Sequence, residues 1–358
     1  MAATDDRLLT RHHQLLLRVA GWAPDDVVSN ARGWLGEGRV TEAARAVLGA
    51  VLAGRVPLRP EDANLLIRAL PDAEQTALPA DAAAEDDWPA YGFAPVRPSP
   101  DDFAPAPPLL DLTLPGSPEP GPQDAVAIAS VVEVTAAVAL WRAWRFPQPG
   151  RDEEDPVPVY VLETAGDAAT LPGVTAWLQN ALEAAGLTNP QVEAYAPGVE
   201  LAAYQEMARG RSALLWAAEP PHPVTVARAF DSYSPMAGGA FAADHPLLAA
   251  GDEPAKVRSF LKHGTVLLAS AAKEIDVFDP DDGPQVPTSF RTDGHWIWAD
   301  TIAYYLGMHS LRPEEDFLAH IRACDYTPAT PGPVALHRAM YALSTPGPQV
   351  RMGPSAGS

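Results

Sequence analysis

Residues 286–306 have the sequence VPTSFRTDGHWIWADTIAYYL, and the second half of the chain is organised around them. An Asp-Gly dipeptide between aromatic and β-branched residues predicts a β-hairpin, because a two-residue type I′ turn needs a positive φ at both central positions. With Asp293 and Gly294 at the tip, the predicted cross-strand pairs are Thr292 with His295, Arg291 with Trp296, Phe290 with Ile297, and Ser289 with Trp298.

This register predicts a surface formed by one cation and two indoles. Side chains alternate between the faces of a strand, so Arg291, Trp296 and Trp298 are expected on one face. A guanidinium there can stack on an indole ring. The hairpin is therefore a candidate binding surface, although the pattern identifies no reaction.

The first 75 residues predict a small helical bundle, domain 1–75. Leucines recur at helical spacing before Gly21, and two further helices open with a Pro-acid-acid sequence at Pro24 and Pro60. Thr41 is the expected N-cap of a helix that runs to Leu52. A separate all-α N-terminal domain follows from these signals.

Residues 76–122 predict an acidic, Pro-rich linker. Twelve prolines and eight acidic residues lie between Pro79 and Pro122, with Arg97 as the one basic residue. Such a composition favours an extended spacer. The aromatic residues of this segment leave a second interpretation open, in which it docks on the following domain or on a partner; they are Trp88, Tyr91, Phe93 and Phe103.

Residues 123–345 predict an α/β domain with a mixed sheet, flanking helices and the Trp-rich hairpin. Strand and helix patterns alternate from Val157 to Ala217 and imply a sheet covered by helices. Residues 125–146 are ambiguous, because valines favour a strand whereas length and alanines favour a helix; we predict a helix. Residues 231–254 predict a long loop, and residues 346–358 a disordered tail.

Composition limits the classes of partner. The chain has 358 residues and a formal net charge of −21, which argues against nucleic acid and anionic membranes and favours a basic protein partner. The start lacks a signal-peptide pattern, and the apolar run 125–140 is too short to span a bilayer. These features predict a cytoplasmic protein whose oligomeric state is not specified by the sequence.

The sequence predicts no cofactor and no metal. Common nucleotide, hydrolase and zinc signatures are absent, and a single cysteine, Cys324, excludes an internal disulfide and a cysteine cage. No two histidines lie three or four apart on a predicted helix. A calcium loop starting at Asp279 fails, since its twelfth position is Phe290 rather than Glu.

The polar residues on or beside the hairpin are the candidates for chemistry. They are Arg291, Asp293, His295 and Asp300, and each also has a structural explanation. Arg291 stacks between the tryptophans, Asp293 forms the turn, His295 pairs across it, and Asp300 caps the next helix. Asp231 follows a predicted strand, where α/β folds place active-site carboxylates.

A stretch of about 35 residues resembles a module of uncharacterised, often actinobacterial proteins. The pattern RTDGxWxW is present at residues 291–298, followed by Tyr304-Tyr305-Leu306 and by His309, Pro313, Phe317 and Ile321. Such proteins resemble those encoded near specialised-secretion and polymorphic toxin or immunity loci. The resemblance implies an accessory or partner-binding role and supplies no catalytic residues.

We therefore expect a non-enzymatic, acidic interaction protein with an immunity-like or secretion-associated task. Its predicted binding residues are Arg291, Asp293, His295, Trp296, Trp298 and Asp231. A structural component of a larger assembly is the first alternative. The second is an enzyme with a site between the 231–254 loop and the 289–298 hairpin.

Overall fold

A computed structural model of the chain describes residues 2–54, 56, 58–75, 91–98, 107–148, 155–234 and 236–345, with side chains from residue 6 onward. The chain forms two compact units, Met1–Pro220 and Pro221–Ser358. The predicted fold class is confirmed, because N-terminal helices precede an α/β part with mixed sheets. Among the described helices, none combines the length and apolar character that crossing a membrane requires. The predicted tail, 346–358, lies outside the described residues.

The N-terminal helices form as predicted. They are α1 Ala2–Val19, α2 Asp25–Gly36, α3 Val40–Ala53 and α4 Pro60–Arg68. One detail of the prediction is wrong, since Arg39 occupies the N-cap position of α3 and Thr41 lies inside the helix. The Thr41 hydroxyl instead donates to the carbonyl of Ala69, 3.0 Å away, and so connects the start of α3 to the end of α4.

A six-stranded mixed sheet lies in the first unit, counted over the described residues. Its strands are β1 Tyr91–Ala94, β2 Leu110–Asp111, β3 Ala137–Pro147, β4 Val157–Thr164, β5 Gln191–Tyr195 and β6 Ala213–Ala217. The order is β2-β6-β3-β4-β5, and β1 pairs with β3. Three helices accompany it, α5 Pro122–Val132, α6 Leu171–Ala184 and α7 Ala203–Gly210. The parallel pair β4–β5 is joined through α6, as the alternating pattern predicts.

The described part of segment 76–122 is not a spacer, which corrects the linker prediction. β1 pairs with the end of β3, and β2 pairs with β6. The Phe93 ring is buried edge-on against Tyr204 at 5.3 Å, and the Arg145 guanidinium lies 4.4 Å from the Tyr91 ring centre. Burial of these aromatic rings offsets the entropy of ordering the chain. Trp88 and Phe103 lie outside the described residues.

The helix predicted for residues 125–146 is also wrong over its second half. The helix α5 ends at Val132, and β3 begins at Ala137. Leu140, Trp141 and Ala143 are fully buried. A strand that is buried on both faces has a continuous apolar sequence. It therefore lacks the alternation of apolar and polar residues that identifies a half-exposed strand.

Two buried polar contacts connect the N-terminal helices to β5. His13 Nε2 lies 2.7 Å from the carbonyl oxygen of Ala194. Arg32 pairs with Glu193 at 2.5 Å, and these side chains are 1% and 0% exposed. The helices of predicted domain 1–75 therefore belong to the same compact unit as the sheet, and the division falls after Pro220 rather than after residue 122.

The second unit is built on a four-stranded sheet of order β10-β13-β14-β7. Its strands and helices are β7 Thr225–Val226, β8 Ser232–Ser234, β9 Gly238–Ala240, α8 Glu253–His263, β10 Thr265–Leu268, β11 Lys273–Ile275, β12 Pro284–Pro287, β13 Phe290–Thr292, β14 Trp296–Ala299, α9 Asp300–His309, α10 Glu315–Ala323 and α11 Pro333–Ser344. β8 pairs with β9, and β11 with β12. The long loop predicted for 231–254 thus contains a hairpin.

The buried Arg32–Glu193 pair gives the first prediction. Arg32→Ala leaves the Glu193 carboxylate buried without its cation, so the free energy of unfolding should fall by about 3–5 kcal/mol. Urea unfolding followed by circular dichroism measures this loss. Arg39→Ala is the matched control, because Arg39 pairs with Glu37 and Glu42 at the surface, and it should leave the unfolding midpoint nearly unchanged. Equal effects of the two substitutions would contradict the prediction.

The buried His13 gives a prediction about pH. Burial lowers the pKa of His13 from 6.5 to about 4. The charge of Arg32 lowers this pKa further, whereas the hydrogen bond to Ala194 opposes the shift. Between these values the unfolded chain binds a proton that the folded chain does not, so stability present above pH 6.5 is lost as the pH falls towards 4. His13→Gln should reduce this loss between pH 7 and 5 in urea titrations. The exposed His263→Gln control should leave the loss unchanged.

Candidate functional site

The hairpin exists, but its turn differs from the predicted one. Phe290 pairs with Ala299, Arg291 with Trp298, and Thr292 with Ile297, which is a shift of two residues. The Oδ1 atom of Asp293 accepts hydrogen bonds from the amides of His295 at 3.0 Å and Trp296 at 2.8 Å. Gly294 has a φ of 95°, whereas Asp293 has no positive φ, so the two-residue type I′ turn is wrong. The connection is a loop of three residues, 293–295, that the Asp293 side chain closes.

The shift by two keeps the predicted face but changes what Arg291 does. A shift by an even number of residues leaves Arg291, Trp296 and Trp298 on the same side. Arg291 Nε donates to Asp300 Oδ1 at 2.6 Å, and its Nη1 donates to the Gly264 carbonyl at 3.1 Å. The guanidinium is thus fixed by an ion pair and a backbone oxygen. Asp300 is the partner of Arg291 and does not cap α9, whose N-cap position is Ala299.

The two tryptophans belong largely to the core. Trp298 is 0% exposed, and its Nε1 donates to the Leu261 carbonyl at 2.9 Å. Its ring lies 5.4 Å from the rings of Phe260 and Phe317. Trp296 is half-buried and stacks on Phe317 at 5.0 Å. Trp298 therefore stabilises the second unit and presents nothing to a partner.

Asp293, His320 and Cys324 converge behind the hairpin loop, an arrangement that the sequence analysis missed. Asp293 Oδ2 lies 2.5 Å from His320 Nε2, and Cys324 Sγ lies 3.6 Å from the same nitrogen. Asp293 is buried, while the other two are half-buried. The sequence signal is the spacing of His320 and Cys324, which lie four residues apart on and just beyond α10 and so share one helix face; the spacing of the histidines alone does not show it.

The geometry of this cluster argues against a cysteine nucleophile. In a catalytic triad the carboxylate and the nucleophile contact different nitrogens of the imidazole, whereas here both contact Nε2. Burial raises the pKa of the Cys324 thiol, and the nearby Asp293 charge raises it further. A raised pKa favours the less reactive protonated thiol. What the cluster does offer is one oxygen, one nitrogen and one sulfur donor within 4.8 Å of one another.

His295 and Asp231 lie elsewhere and do not join Arg291 in one site. His295 is exposed, and its ring lies 4.5 Å from that of His222 at a tilt of 35° instead of pairing across the turn. Asp231 Oδ2 accepts from the Ala242 amide at 2.7 Å and lies 2.8 Å from His245 Nδ1. Burial alone would raise the pKa of Asp231, but these contacts hold it below its usual value. Asp231 lines a separate cavity of about 200 Å³.

Arg291 lines a larger cavity of about 530 Å³. Three basic residues and one acidic residue contribute to its wall together with apolar side chains; the lining is Arg258, Lys262, Pro287, Arg291, Asp300, Ala303, Tyr304, Gly307 and Met308. Asp300 neutralises Arg291, which leaves the charges of Arg258 and Lys262 in excess. The cavity wall is therefore better suited to an anionic group than to a cation.

Comparisons with protein-family models, with curated proteins and with solved structures find no match to this chain.

The buried Trp298 gives a prediction about the second unit. A Cβ atom added at Gly264 would overlap the Trp298 ring, which is held between two phenylalanines. Gly264→Ala should therefore lower the free energy of unfolding by about 1–3 kcal/mol, as overpacked cores do. Thermal unfolding monitored by tryptophan fluorescence measures this. Gly332→Ala is the control, because its Cβ would meet no atom within 4 Å, and its transition should move much less.

Proposed function

We propose that the chain is a non-enzymatic accessory protein that binds a basic, partly apolar segment of a partner protein. The observation that supports this proposal is a set of exposed apolar side chains within one short segment of the second unit, namely Val266, Leu268, Ile275, Val277 and Phe278. We call it the 266–278 surface. Its large side chains are 41–52% exposed and are drawn from 13 consecutive residues. Concentrated exposed apolar groups of this kind are typical of interaction sites.

The position of the surface supports a role in binding. Val266 and Leu268 lie on β10, one of the two outer strands of the four-stranded sheet, with β13 as its paired neighbour. An outer strand offers backbone groups as well as side chains to an extended segment of another chain. Ile275 ends β11, and Val277 and Phe278 follow it. The 266–278 surface thus combines a strand edge with further exposed apolar side chains a few residues along the chain.

Charge favours a basic partner. Residues 265–282 contain one basic residue, Lys273, and five acidic residues. Four of the acids are exposed, namely Glu274, Asp279, Asp281 and Asp282. Opposite charge on a partner segment would speed association and favour the correct partner. The resemblance of residues 290–298 to an accessory module agrees with this role, and an immunity-like or secretion-associated task belongs to the same proposal.

The alternatives have less support. The enzyme alternative requires Asp231, Arg291 or His295 to converge, yet Asp231 and Arg291 line different cavities and His295 is exposed on the hairpin loop. The assembly alternative predicts that the 266–278 surface binds a second copy of the chain. Sedimentation of the purified chain at rising concentration separates self-association from binding of another protein.

A peptide pair tests the proposal. The probes are a fluorescent octapeptide of alternating lysine and valine and its counterpart with glutamate in place of lysine. The full chain should bind the lysine peptide at least tenfold more tightly by fluorescence anisotropy. Leu268→Lys should weaken that binding at least tenfold, because it removes an apolar contact and adds a repelling charge.

Leu52→Lys is the matched control, since Leu52 is exposed to 49% and Leu268 to 47%. This variant should bind the lysine peptide like the unmodified chain. Equal binding of the two peptides, or binding that survives Leu268→Lys, would contradict the proposal.

A further inference from the structure

We propose that Asp293, His320 and Cys324 form a binding site for a divalent transition metal of the zinc type. The site does not depend on the 266–278 surface, so each proposal can fail alone. It also revises the expectation from sequence that the chain binds no metal. Three contributions support it: the set of donor atoms, their spacing, and the way in which neighbouring groups hold them.

The donor set suits zinc better than the common hard cations. Zinc accepts carboxylate oxygen, imidazole nitrogen and thiolate sulfur in tetrahedral sites, whereas calcium and magnesium require oxygen ligands. Asp293, His320 and Cys324 supply one donor of each zinc-binding class. A softer thiolate ligand further disfavours calcium and magnesium.

The spacing of the donors is close to that of a tetrahedral site. Zinc–nitrogen bonds of about 2.0–2.1 Å and zinc–sulfur bonds of about 2.3 Å place the nitrogen and sulfur about 3.6 Å apart. The distance between His320 Nε2 and Cys324 Sγ is 3.6 Å. The Asp293 oxygen lies 2.5 Å from Nε2 in a hydrogen bond, and would have to move outward by about 0.8 Å to become a ligand.

The surrounding groups hold the ligands in place. The second oxygen of Asp293 accepts two backbone amides of the hairpin loop, so the first oxygen is directed at His320. The His320 ring lies between aromatic neighbours, 6.0 Å from Trp296 and 6.2 Å from Phe260. Hydrogen-bonded carboxylates and an apolar shell are the usual supports of protein metal sites.

Binding requires a defined movement of protons. The Sγ–H bond of Cys324 breaks, its proton leaves to solvent, and an Sγ–metal bond forms. Where the hydrogen-bond proton is on Nε2 of a neutral His320, it leaves to solvent and Nδ1 takes up a proton from solvent, so that the ring stays neutral and Nε2 presents its lone pair to the metal. The fourth ligand of the metal has two candidates, His295 and a water molecule. His295 is exposed on the same loop, and its ring lies 6.4 Å from that of His320.

Cobalt is the spectroscopic probe for the test. The full chain, stripped with a chelator under reducing conditions and desalted, is titrated with Co²⁺. We expect one equivalent of Co²⁺ to produce visible absorption bands together with a near-ultraviolet thiolate-to-cobalt band. Zn²⁺ should displace the bound Co²⁺ and so remove these bands. Cys324 is the only cysteine of the chain, so a thiolate band reports on this site alone. Absence of the band, or its displacement by Mg²⁺ at the same concentration as Zn²⁺, would overturn the proposal.

A matched pair of histidine variants tests the assignment to residues. His309 Nε2 lies 2.7 Å from Asp276 Oδ2, a similar contact between a histidine and a buried aspartate in the same unit, but without a thiol. His320→Gln should weaken zinc binding at least tenfold, whereas His309→Gln should leave it unchanged. Equal effects of the two substitutions would overturn the assignment. Should His320→Gln fail to fold, the unmodified chain is treated with an alkylating reagent with and without Zn²⁺. Zn²⁺ should protect Cys324 from alkylation, and lack of protection would count against the site.

Discussion

The Asp293 carboxylate joins the β13–β14 loop to α10, and the arrangement of the second unit depends on it. One oxygen satisfies the loop amides, and the other lies against His320 on the helix. A buried carboxylate without such partners would cost several kcal/mol. The loop and α10 are therefore held together, and the aromatic rings of Trp296 and Phe317 pack between them. Phe317 on α10 contacts both tryptophan rings, so the core around Trp298 lies next to this connection.

The sequence predicted the hairpin and its faces but not its register. Aspartate followed by glycine indicated a reversal of the chain, and β-branched and aromatic flanks indicated strands. The pattern did not show that Asp293 would bind two amides with its side chain, which produces a longer loop than a type I′ turn. Because the register is shifted by an even number of residues, Arg291 and Trp298 still lie on one face, as predicted. Arg291, however, lies beside Asp300 rather than on an indole.

Long-range partners explain what was missed in the first unit. β3 has buried arginines, Arg142 and Arg145, which pair with Asp124 and Asp25. The sequence shows the charges but not the partner, which is 18 residues away for Arg142 and 120 for Arg145. Likewise, the acidic composition of residues 76–122 does not indicate β1 and β2, whose pairing partners, β3 and β6, lie elsewhere in the chain. Local patterns predicted helices well, since their signals of capping, spacing and termination lie within a few residues.

The contacts of α1 and α2 with β5 limit how this chain can be divided or recombined. Arg32 and His13 have their acceptors on a strand that lies more than 150 residues further along the sequence. A gene fusion that transplanted only the N-terminal helices would leave the Arg32 guanidinium without its counter-ion. On the donor side, Glu193 would keep its hydrogen bond from Gln205 but lose its cation. Shuffling at residue 220 breaks neither contact. The segment that can be transferred without breaking these contacts therefore comprises the N-terminal helices together with their sheet.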